Sequence, residues 1–413
     1  MSFSYQGQTL HADSVGITDL MASYGSPLYV YSRSDIENNW REFDAAFGAH
    51  PHLICYAVKA NSNIAVLNVL AKIGAGFDIV SIGELARVLA AGADASKCVF
   101  SGVAKTTQEI ERGLEVGIRC FNVESAAELE RIEQVAARLN VQAPISIRVN
   151  PNVDAKTHPY ISTGLKGNKF GVDIDDAIDL YQQAHHSQYL NVQGLDCHIG
   201  SQLTDVTPLL DALDKVLELV VKLNNQGIAI AHLDLGGGVG IRYDNEDTID
   251  INTYIDTIVK KVGNLEVILE PGRAIVGNAG VFITQVEFLK QNSDKSFAIV
   301  DGAMNDLLRP TLYGAYHQVL PVNENAQGLD AHWDLVGPIC ETGDFLAKDR
   351  KLSLTEGDYL AIMSAGAYGF GMSSNYNSRP RVAEVMVSDN QHHLIRKRET
   401  IQDLFNTETL IND

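Results

Sequence analysis

The sequence has few cysteines, and their spacing excludes several kinds of small, cross-linked protein. Five occur among 413 residues, widely spaced and without a C-x-x-C pair. An odd, dispersed set indicates neither a disulfide framework nor a zinc site. Cys55, Cys98, Cys120 and Cys197 fall in or beside apolar runs, where a small buried side chain is the ordinary interpretation. We therefore expect a reducing compartment, the cytoplasm.

The sequence also has few basic side chains relative to acidic ones. The chain has 32 basic against 52 acidic side chains, a formal net charge of −20. Such a surface repels phosphate backbones and anionic membranes, so nucleic acid and membrane are not expected as partners. No apolar run approaches the ~20 residues that a bilayer span requires. The N-terminal stretch MSFSYQGQTLHADS lacks the charged start and apolar core of a signal peptide.

What the chain does contain is eight short apolar, β-branched runs between residues 53 and 271, separated by helical segments. Continuous apolar runs of this length are typical of buried parallel strands. The eightfold alternation predicts an α/β fold, a (β/α)8 TIM-like barrel whose chemistry lies at the carboxyl ends of the strands. The residues on which the runs end are, in order, Lys59, Asp78 with Ser81, Ser101-Gly102, Asn122, Arg148 to Asn150, His198, Gly236 to Gly238, and Glu270 to Arg273.

The pattern changes after about Gly277, where short strand-like runs follow one another without convincing helices. This predicts an antiparallel β domain over 277–413, to which 1–31 contribute, beside a barrel domain over 32–276. The longest break within the barrel, residues 151–171, is polar and rich in glycine and proline. On the active face of a barrel we interpret it as a substrate lid.

Lys59 and Glu270 are the first candidate site residues. Lys59 ends the first strand, either as a lysine whose ammonium reaches solvent at the rim or as an amine that forms a Schiff base with a carbonyl cofactor. Glu270 ends the eighth strand, which closes the barrel beside the first. There it can pair with Lys59 or hold a protonated pyridine nitrogen.

His198 and the glycine run Gly236–Gly238 end the sixth and seventh strands. The histidine is a hydrogen-bonded barrel-mouth residue, a metal ligand or a ring face for a flat cofactor; since no ligand spacing accompanies it, metal is disfavoured. The glycines form either a tight turn or a phosphate cradle. Phosphate sites in such barrels favour the loops after strands seven and eight, which are these glycines and the EPGR turn.

Three clusters stand out in the β domain: RPTLY at 309–313, PICETGD at 338–344 and SAGAY at 364–368. Taken singly, each is more typical of a loop than of a site. Cys340 can be a buried apolar side chain, Arg309 a surface charge and Tyr368 a core aromatic residue.

Together, however, seven motifs resemble one family, the alanine-racemase-fold pyridoxal-phosphate-dependent decarboxylases. YAVKAN, HIGSQ, DLGGG, EPGR, RPTLYGAYH, GPICETGD and AGAYGF occur in family order over essentially the whole chain. The resemblance implies pyridoxal 5'-phosphate as cofactor. Lys59 matches the lysine that carries it, His198 the imidazole stacked on its ring, and Glu270 the carboxylate on its ring nitrogen. The matching phosphate-binding positions are Ser201, Gly236, Gly237, Gly238, Gly272 and Arg273, and Tyr368 matches a tyrosine that touches phosphate and substrate.

Within this family the chain is most similar to members that convert meso-2,6-diaminopimelate to L-lysine and carbon dioxide. Arg273, Arg309 and Tyr313 match the clamp on the distal carboxylate of that substrate, and Glu341 matches the partner of its distal ammonium. Cys340 matches the proton donor. In the family Cys340 and Glu341 reach the active site from the other subunit, so the resemblance implies a homodimer with shared active sites.

Two other interpretations stay open at this stage. Relatives that decarboxylate ornithine, arginine or lysine share Lys59, His198 and Glu270, but they resemble one another in having aspartate after the cysteine, where this chain has Glu341. A non-catalytic homologue that binds the cofactor would keep the fold and lose the chemistry. Retention of Lys59, Cys340 and Glu341 argues against it.

Overall fold

The computed structural model describes residues 2–154 and 168–411, which belong to two compact units. One comprises Met1–Ile36, Arg242–Glu246 and Val276–Asp413, and the other Glu37–Ile241 and Asp247–Ile275. The domain bounds inferred above stay a prediction; the loop Arg242–Glu246 groups with the C-terminal strands rather than with the barrel sequence around it. Most of the proposed lid, residues 155–167, lies outside the described part of the chain.

The chain begins with a small antiparallel sheet and a strand that is buried at all five positions. The elements are β1 (Phe3–Gln6), β2 (Thr9–Ala12), β3 (Val15–Gly16), α1 (Ile17–Tyr24), β4 (Leu28–Ser32) and α2 (Arg33–Ala46). Since successive side chains of a strand point to opposite faces, both faces of β4 are covered, and this explains its run of apolar and aromatic residues.

Within the described residues, eight parallel strands pair in a closed ring, which confirms the predicted barrel. The ring is formed by β5 (His52–Ala57), β6 (Gly76–Ile79), β7 (Cys98–Phe100), β8 (Cys120–Val123), β9 (Ala143–Asn150), and, after the short strand β10 (Val172–Asp173), by β11 (Leu190–Asp196), β12 (His232–Asp234) and β13 (Glu266–Leu269). Strand β13 pairs with β5 and closes the ring. Buried β-branched and aromatic residues fill these strands, as the continuous apolar runs require.

Helices connect the barrel strands: α3 (Ile64–Lys72), α4 (Ile82–Ala90), α5 (Thr107–Val116), α6 (Ala126–Leu139), α7 (Ala177–His186), α8 (Thr207–Asn225), α9 (Ile251–Val262) and the single turn α10 (Arg273–Val276). Helix α5 begins with a complete capping box formed by Thr106 and Glu109. No helix in the described ranges is long and apolar enough to cross a bilayer.

The remaining elements are β14 (Gly280–Gln291), β15 (Ser296–Val300), α11 (Arg309–Tyr313), β16 (Val319–Pro321), β17 (Leu329–Val336), β18 (Phe345–Leu354), β19 (Tyr359–Ile362), β20 (Ala383–Ser388) and β21 (Gln391–Arg396). They form a mostly antiparallel sheet in the order β18-β17-β15-β14-β4-β20-β21. The predicted antiparallel β domain is confirmed, and within it two pairs, β15 with β17 and β20 with β4, are parallel. Both pairs join strands that are distant in sequence, so no hairpin forces them to run in opposite directions.

Candidate active site

Lys59 lies beyond the first barrel strand rather than at its last position, which corrects the sequence-based placement. Strand β5 ends at Ala57, and Lys59 occupies a 3-10 turn over Val58–Ala60. Its Nζ forms an ion pair with the fully buried carboxylate of Asp78 on β6, whose register partner is Ala57. A buried carboxylate requires such a partner because its desolvation is costly. The partially exposed amine is therefore held at the barrel mouth by a residue of the neighbouring strand.

Glu270 is buried directly after β13. Its backbone N–H donates to Gly236 O at 2.8 Å, which ties it to the loop after β12. Its Oε1 accepts from Ser101 Oγ at 3.5 Å. Burial first, and then the neighbouring carboxylates of Asp234 and Asp78, raise the pKa of Glu270 well above its ordinary value. A cation placed beside this group would favour its ionised form.

Asp234, at the end of β12, is fully buried and forms a side-chain hydrogen bond with Glu270. Burial raises the pKa of Asp234 to about 7, although the bond that it accepts from the Gly236 N–H acts in the opposite direction. Asn122 also donates to Asp234, at 3.5 Å, and to Ser101, at 3.1 Å. The two carboxyl groups are thus joined through a buried polar network.

Arg148 supplies positive charge in this interior. Its Nη1 lies 2.9 Å from Glu124 Oε1 and its Nε 3.8 Å from Asp196 Oδ2. Burial lowers the pKa of Arg148, but these two carboxylates outweigh that effect and leave it raised. The arginine remains charged, and its Nη2 approaches the backbone oxygen of His198 at 3.5 Å.

His198 follows β11 and is held by the glycine loop. The N–H of Gly237 donates to His198 Nδ1 at 3.2 Å, so Nδ1 acts as an acceptor and a proton on the neutral ring belongs to Nε2. Burial, and then the charges of Arg148 and Lys59, lower the pKa of His198 well below its ordinary value. A neutral imidazole of this kind offers an uncharged, flat surface at the barrel mouth.

The run Gly236–Gly238 requires glycine at each position. Gly236 and Gly238 have φ values of +64° and +99°, a region that disfavours side chains. A Cβ at Gly236 would lie 2.5 Å from His198 Nδ1, and one at Gly237 would collide with the Glu270 carbonyl oxygen. The backbone can therefore approach its neighbours closely, as a phosphate cradle must.

Arg273 and Ser201 lie together beside this cradle. Arg273 is buried in the first turn after Gly272, and its Nη2 donates to Ser201 Oγ at 3.1 Å. Gly272 packs tightly, since a Cβ there would lie 3.0 Å from those of both Ala57 and Ala60. All the predicted phosphate-binding residues of the barrel are thus on one rim.

The predicted site residues of the C-terminal strands belong to the other unit. Arg309 opens α11 and is buried, whereas Tyr313 ends the same helix and is half-buried. Thr311 Oγ1 donates to Gly343 O at 2.7 Å, which joins this helix to the loop that contains Cys340 and Glu341.

Cys340 and Glu341 are exposed, contrary to the interpretation of Cys340 as a buried apolar side chain. The Cys340 N–H donates to Asn377 Oδ1 at 2.9 Å, and the Glu341 carboxylate forms a hydrogen bond with Tyr376. Asp344 fixes the loop further by accepting from the backbone N–H of Ile339 at 2.7 Å. The thiol and the carboxylate are therefore presented to solvent by an ordered loop.

Tyr368 has φ +55°, an unusual conformation for a bulky residue. Such strain occurs at functional sites when the surrounding structure enforces it. Here Gly366 packs against the Val276 carbonyl oxygen so closely that any side chain would collide. The AGAYGF motif therefore holds a half-buried tyrosine in a fixed orientation.

Asp78, Asp234 and His317 lie in contact with predicted site residues but were not themselves predicted. Asp78 is among the polar residues on which the predicted strands end, so the sequence did indicate its place at the barrel mouth. Asp234 is part of DLGGG, although nothing in that motif indicates its link to Glu270. His317 ends RPTLYGAYH, and no local pattern connects it to Arg309.

Comparisons with known proteins place these motifs in a family. Residues 33–277 match the model of the pyridoxal-dependent decarboxylases, pyridoxal binding domain. Diaminopimelate decarboxylase of Vibrio cholerae serotype O1 is 56% identical over 99% of both chains, and that of Pseudomonas aeruginosa is 57% identical over 99% of both. The crystal structure of diaminopimelate decarboxylase from Helicobacter pylori complexed with L-lysine matches with a TM-score of 0.91 at 44% identity, over 95% of this chain and 98% of that one.

The chain belongs to the diaminopimelate decarboxylases.

Pyridoxal phosphate is the cofactor of this family, and the barrel rim fits it. The glycine cradle, Ser201 and Arg273 form a donor-rich corner suited to a phosphate. Glu270 is a buried carboxyl group that a protonated ring nitrogen would stabilise in its ionised form. Lys59 provides an accessible amine on the same rim. Membership of the diaminopimelate decarboxylases thus agrees with the residues present.

Proposed function

We propose that this chain removes carbon dioxide from meso-2,6-diaminopimelate and releases L-lysine. The observation that carries the proposal is the buried carboxyl group of Glu270 at the barrel mouth that also presents Lys59. Racemases of the same fold resemble this site but have an arginine in place of Glu270, which favours a different fate for the substrate. The presence of a carboxyl group supports decarboxylation.

Each barrel residue has a distinct task in this reaction. Pyridoxal phosphate supplies the electron sink for the electron pair that is left when carbon dioxide departs. Glu270 holds the proton on the ring nitrogen, which keeps that sink strong. The neutral ring of His198 packs against the cofactor face, and Gly236–Gly238, Ser201 and Arg273 bind the phosphate. Lys59 is the attachment point, with the carboxylate of Asp78 beside its amine.

Arg273 of the barrel and residues of the other unit select the substrate and complete the chemistry. Arg309 and Arg273 hold the distal carboxylate, because a guanidinium fork matches a planar carboxylate with two parallel hydrogen bonds. Tyr313 assists them, and Glu341 binds the distal ammonium. Cys340 delivers a proton to the α-carbon after carbon dioxide has left. Tyr368 orients both the phosphate and the substrate.

The active unit in this proposal is a homodimer in which Cys340 and Glu341 serve the barrel of the partner subunit. Exposure of both side chains supports this arrangement, as does a group of apolar residues at the barrel mouth. These residues follow the first three barrel strands and are exposed in the single chain: Ile64 at 48%, Val80 at 38%, Ile82 at 42% and Val103 at 37%. Clustered exposed apolar side chains are typical of protein interfaces. The cytoplasm is the proposed location, since a proton-donating thiol must stay reduced.

The decisive experiment is turnover of meso-2,6-diaminopimelate by the purified, cofactor-loaded protein. We expect L-lysine and carbon dioxide in equal amounts, with little product from the L,L isomer, from L-lysine or from ornithine. Preference for ornithine or L-lysine would overturn the substrate and leave the cofactor assignment standing. Absence of carbon dioxide from every amino acid would instead favour a non-catalytic role.

A further inference from the structure

Arg309, His317 and Tyr243 form a buried cluster. Arg309 Nη1 lies 2.8 Å from His317 Nε2, and the centre of its guanidinium group lies 4.5 Å from the centroid of the Tyr243 ring. The Tyr243 and His317 rings meet edge to face, with centroids 5.2 Å apart at 78°. The arginine is thus hydrogen-bonded to one ring and lies over the face of another.

The hydrogen bonds determine the protonation of His317. His317 Nδ1 lies 2.8 Å from the carbonyl oxygen of Met363, which can only accept, so Nδ1 carries a proton. A guanidinium can only donate, so Nε2 must accept from Arg309 and carries none. Both contacts specify the same neutral tautomer. A protonated ring would direct an N–H group at the guanidinium instead.

The sheet fixes the position of His317. The Met363 N–H donates to Gln318 O at 2.8 Å, which continues the antiparallel pairing of β16 with β19. Arg350 Nη2 reaches the His317 carbonyl oxygen at 3.3 Å. The acceptor atom Nε2 is therefore placed by backbone interactions, and it cannot turn away without breaking the contact with Met363.

Tyr243 is also held firmly. It lies in Arg242–Glu246, the loop that groups with the C-terminal strands, and its N–H donates to Glu246 Oε2 at 2.9 Å. A ring face against a guanidinium gains a cation–π contribution and limits rotation of the planar group. The orientation of the Arg309 guanidinium is consequently restricted by two residues, by His317 through a hydrogen bond and by Tyr243 through its ring face.

We infer that His317 is a positioning residue for substrate selection: it directs the guanidinium of Arg309 toward the distal carboxylate of the substrate. The inference rests on the proposed function, in which Arg309 binds that carboxylate. A guanidinium fixed before binding loses less conformational freedom when it binds, and it keeps the geometry that a two-point contact needs. Because the distal carboxylate is not the one that leaves, the effect falls on substrate binding rather than on the chemical step.

L-Lysine and 1,5-diaminopentane separate this role from a general structural one. L-Lysine retains the distal carboxylate, whereas the diamine has both ammonium groups and no carboxylate. Binding of each to the cofactor-loaded enzyme is measured by calorimetry, beside KM and kcat for meso-2,6-diaminopimelate. His317→Asn keeps a donor near the Nδ1 position and loses the acceptor, while His317→Gln keeps an acceptor at the same number of bonds as Nε2. His332→Asn, an exposed histidine change in the same unit, serves as the control.

For His317→Asn we expect L-lysine binding to weaken about 10- to 100-fold, the scale of losing a hydrogen bond to a charged group. KM for meso-2,6-diaminopimelate should rise by a similar factor, with kcat and diamine binding close to those of wild type. His317→Gln should restore most of the L-lysine affinity, and His332→Asn should change nothing. If His317→Asn does not fold, His317→Met replaces it as the variant without an acceptor.

Unchanged L-lysine binding in the folded acceptor-free variant would overturn the inference. Equal weakening of L-lysine and the diamine would do so as well, since it indicates general damage to the site. Failure of the proposed function gives a different result, because wild type itself would then show no preference for L-lysine over the diamine.

Discussion

Asp234 ends barrel strand β12 and Glu270 directly follows the neighbouring strand β13, and their carboxyl groups form a hydrogen bond in the barrel interior. Burial raises the pKa of both groups, that of Asp234 to about 7. Between two carboxyl groups such a bond requires a proton, which the pair retains over a pH range where exposed carboxyl groups are ionised. The charge of the proposed cofactor partner, Glu270, is therefore sensitive to what lies beside it.

The first prediction concerns pH and cofactor binding. The folded-state pKa of each group exceeds its unfolded value, so the stability that these groups contribute is complete below about pH 4 and declines at higher pH, for Asp234 as the pH rises through about 7. A protonated ring nitrogen favours ionised Glu270 and reduces that loss. The stabilisation by pyridoxal phosphate should therefore increase between about pH 5 and pH 8. Thermal unfolding of cofactor-free and cofactor-loaded protein measures it.

Glu270→Gln is the control for this measurement. The variant has no carboxyl group at position 270 that the cofactor could ionise, so much of the pH dependence of the cofactor effect should disappear. Parallel pH profiles for the loaded and cofactor-free wild type would contradict the prediction.

A second prediction addresses catalysis by the same residue. Glu270→Gln should still bind pyridoxal phosphate but should decarboxylate at least ~100-fold more slowly, the scale of losing a well-placed electrostatic contact. Single-turnover release of carbon dioxide is the measurement, with cofactor content checked by absorbance. Near-normal rates would mean that another group holds the ring nitrogen.

Lys59 should be the residue that carries the cofactor. Reduction of the loaded protein with borohydride should fix pyridoxal phosphate to the peptide containing Lys59, because an accessible amine is required for a covalent link to a carbonyl carbon. Mass spectrometry of the digest identifies the site. Lys97, which donates to Gly74 O at 3.0 Å away from the barrel rim, provides an internal comparison and should remain unlabelled.

The proposal of shared active sites predicts complementation. Lys59→Ala and Cys340→Ala proteins should each be almost inactive, because each lacks one group of every site. After subunit exchange, the mixture should recover up to about a quarter of wild-type activity, since statistical pairing in a symmetric dimer restores one intact site in half of the dimers. If exchange is demonstrated and no activity returns, all catalytic groups of a site come from one chain.

Arg309 should determine the choice of substrate. Arg309→Ala should cost roughly 2–5 kcal/mol in kcat/KM for meso-2,6-diaminopimelate, because one arm of a charge-assisted clamp is lost. Arg309→Lys should also be poor, since an ammonium cannot reproduce a planar fork. Both variants should bind the cofactor normally. Retention of full efficiency by Arg309→Lys would show that charge alone suffices.

Much of the architecture could be predicted from local patterns. Apolar runs that alternate with amphipathic segments require buried parallel strands and covering helices, so the barrel followed from periodicity. No apolar run marks strand β18, because four of the ten residues in its sequence, FLAKDRKLSL, are charged and the strand forms a sheet edge, where no apolar run is needed. The seven motifs nominated the site residues, but by resemblance to a family rather than by spacing.

The sequence by itself determined the barrel, the order of its strands and the residue types at the strand ends, because these depend on local periodicity and on chain connectivity. Only the tertiary structure decided which groups interact. It paired Lys59 with Asp78 and linked Asp234 to Glu270, two relationships between adjacent strands. It also fixed the tautomer of His317 through Met363 and Arg309. Ionisation and tautomer depend on desolvation and on partners that are distant in the chain, and those are defined only when the chain has folded.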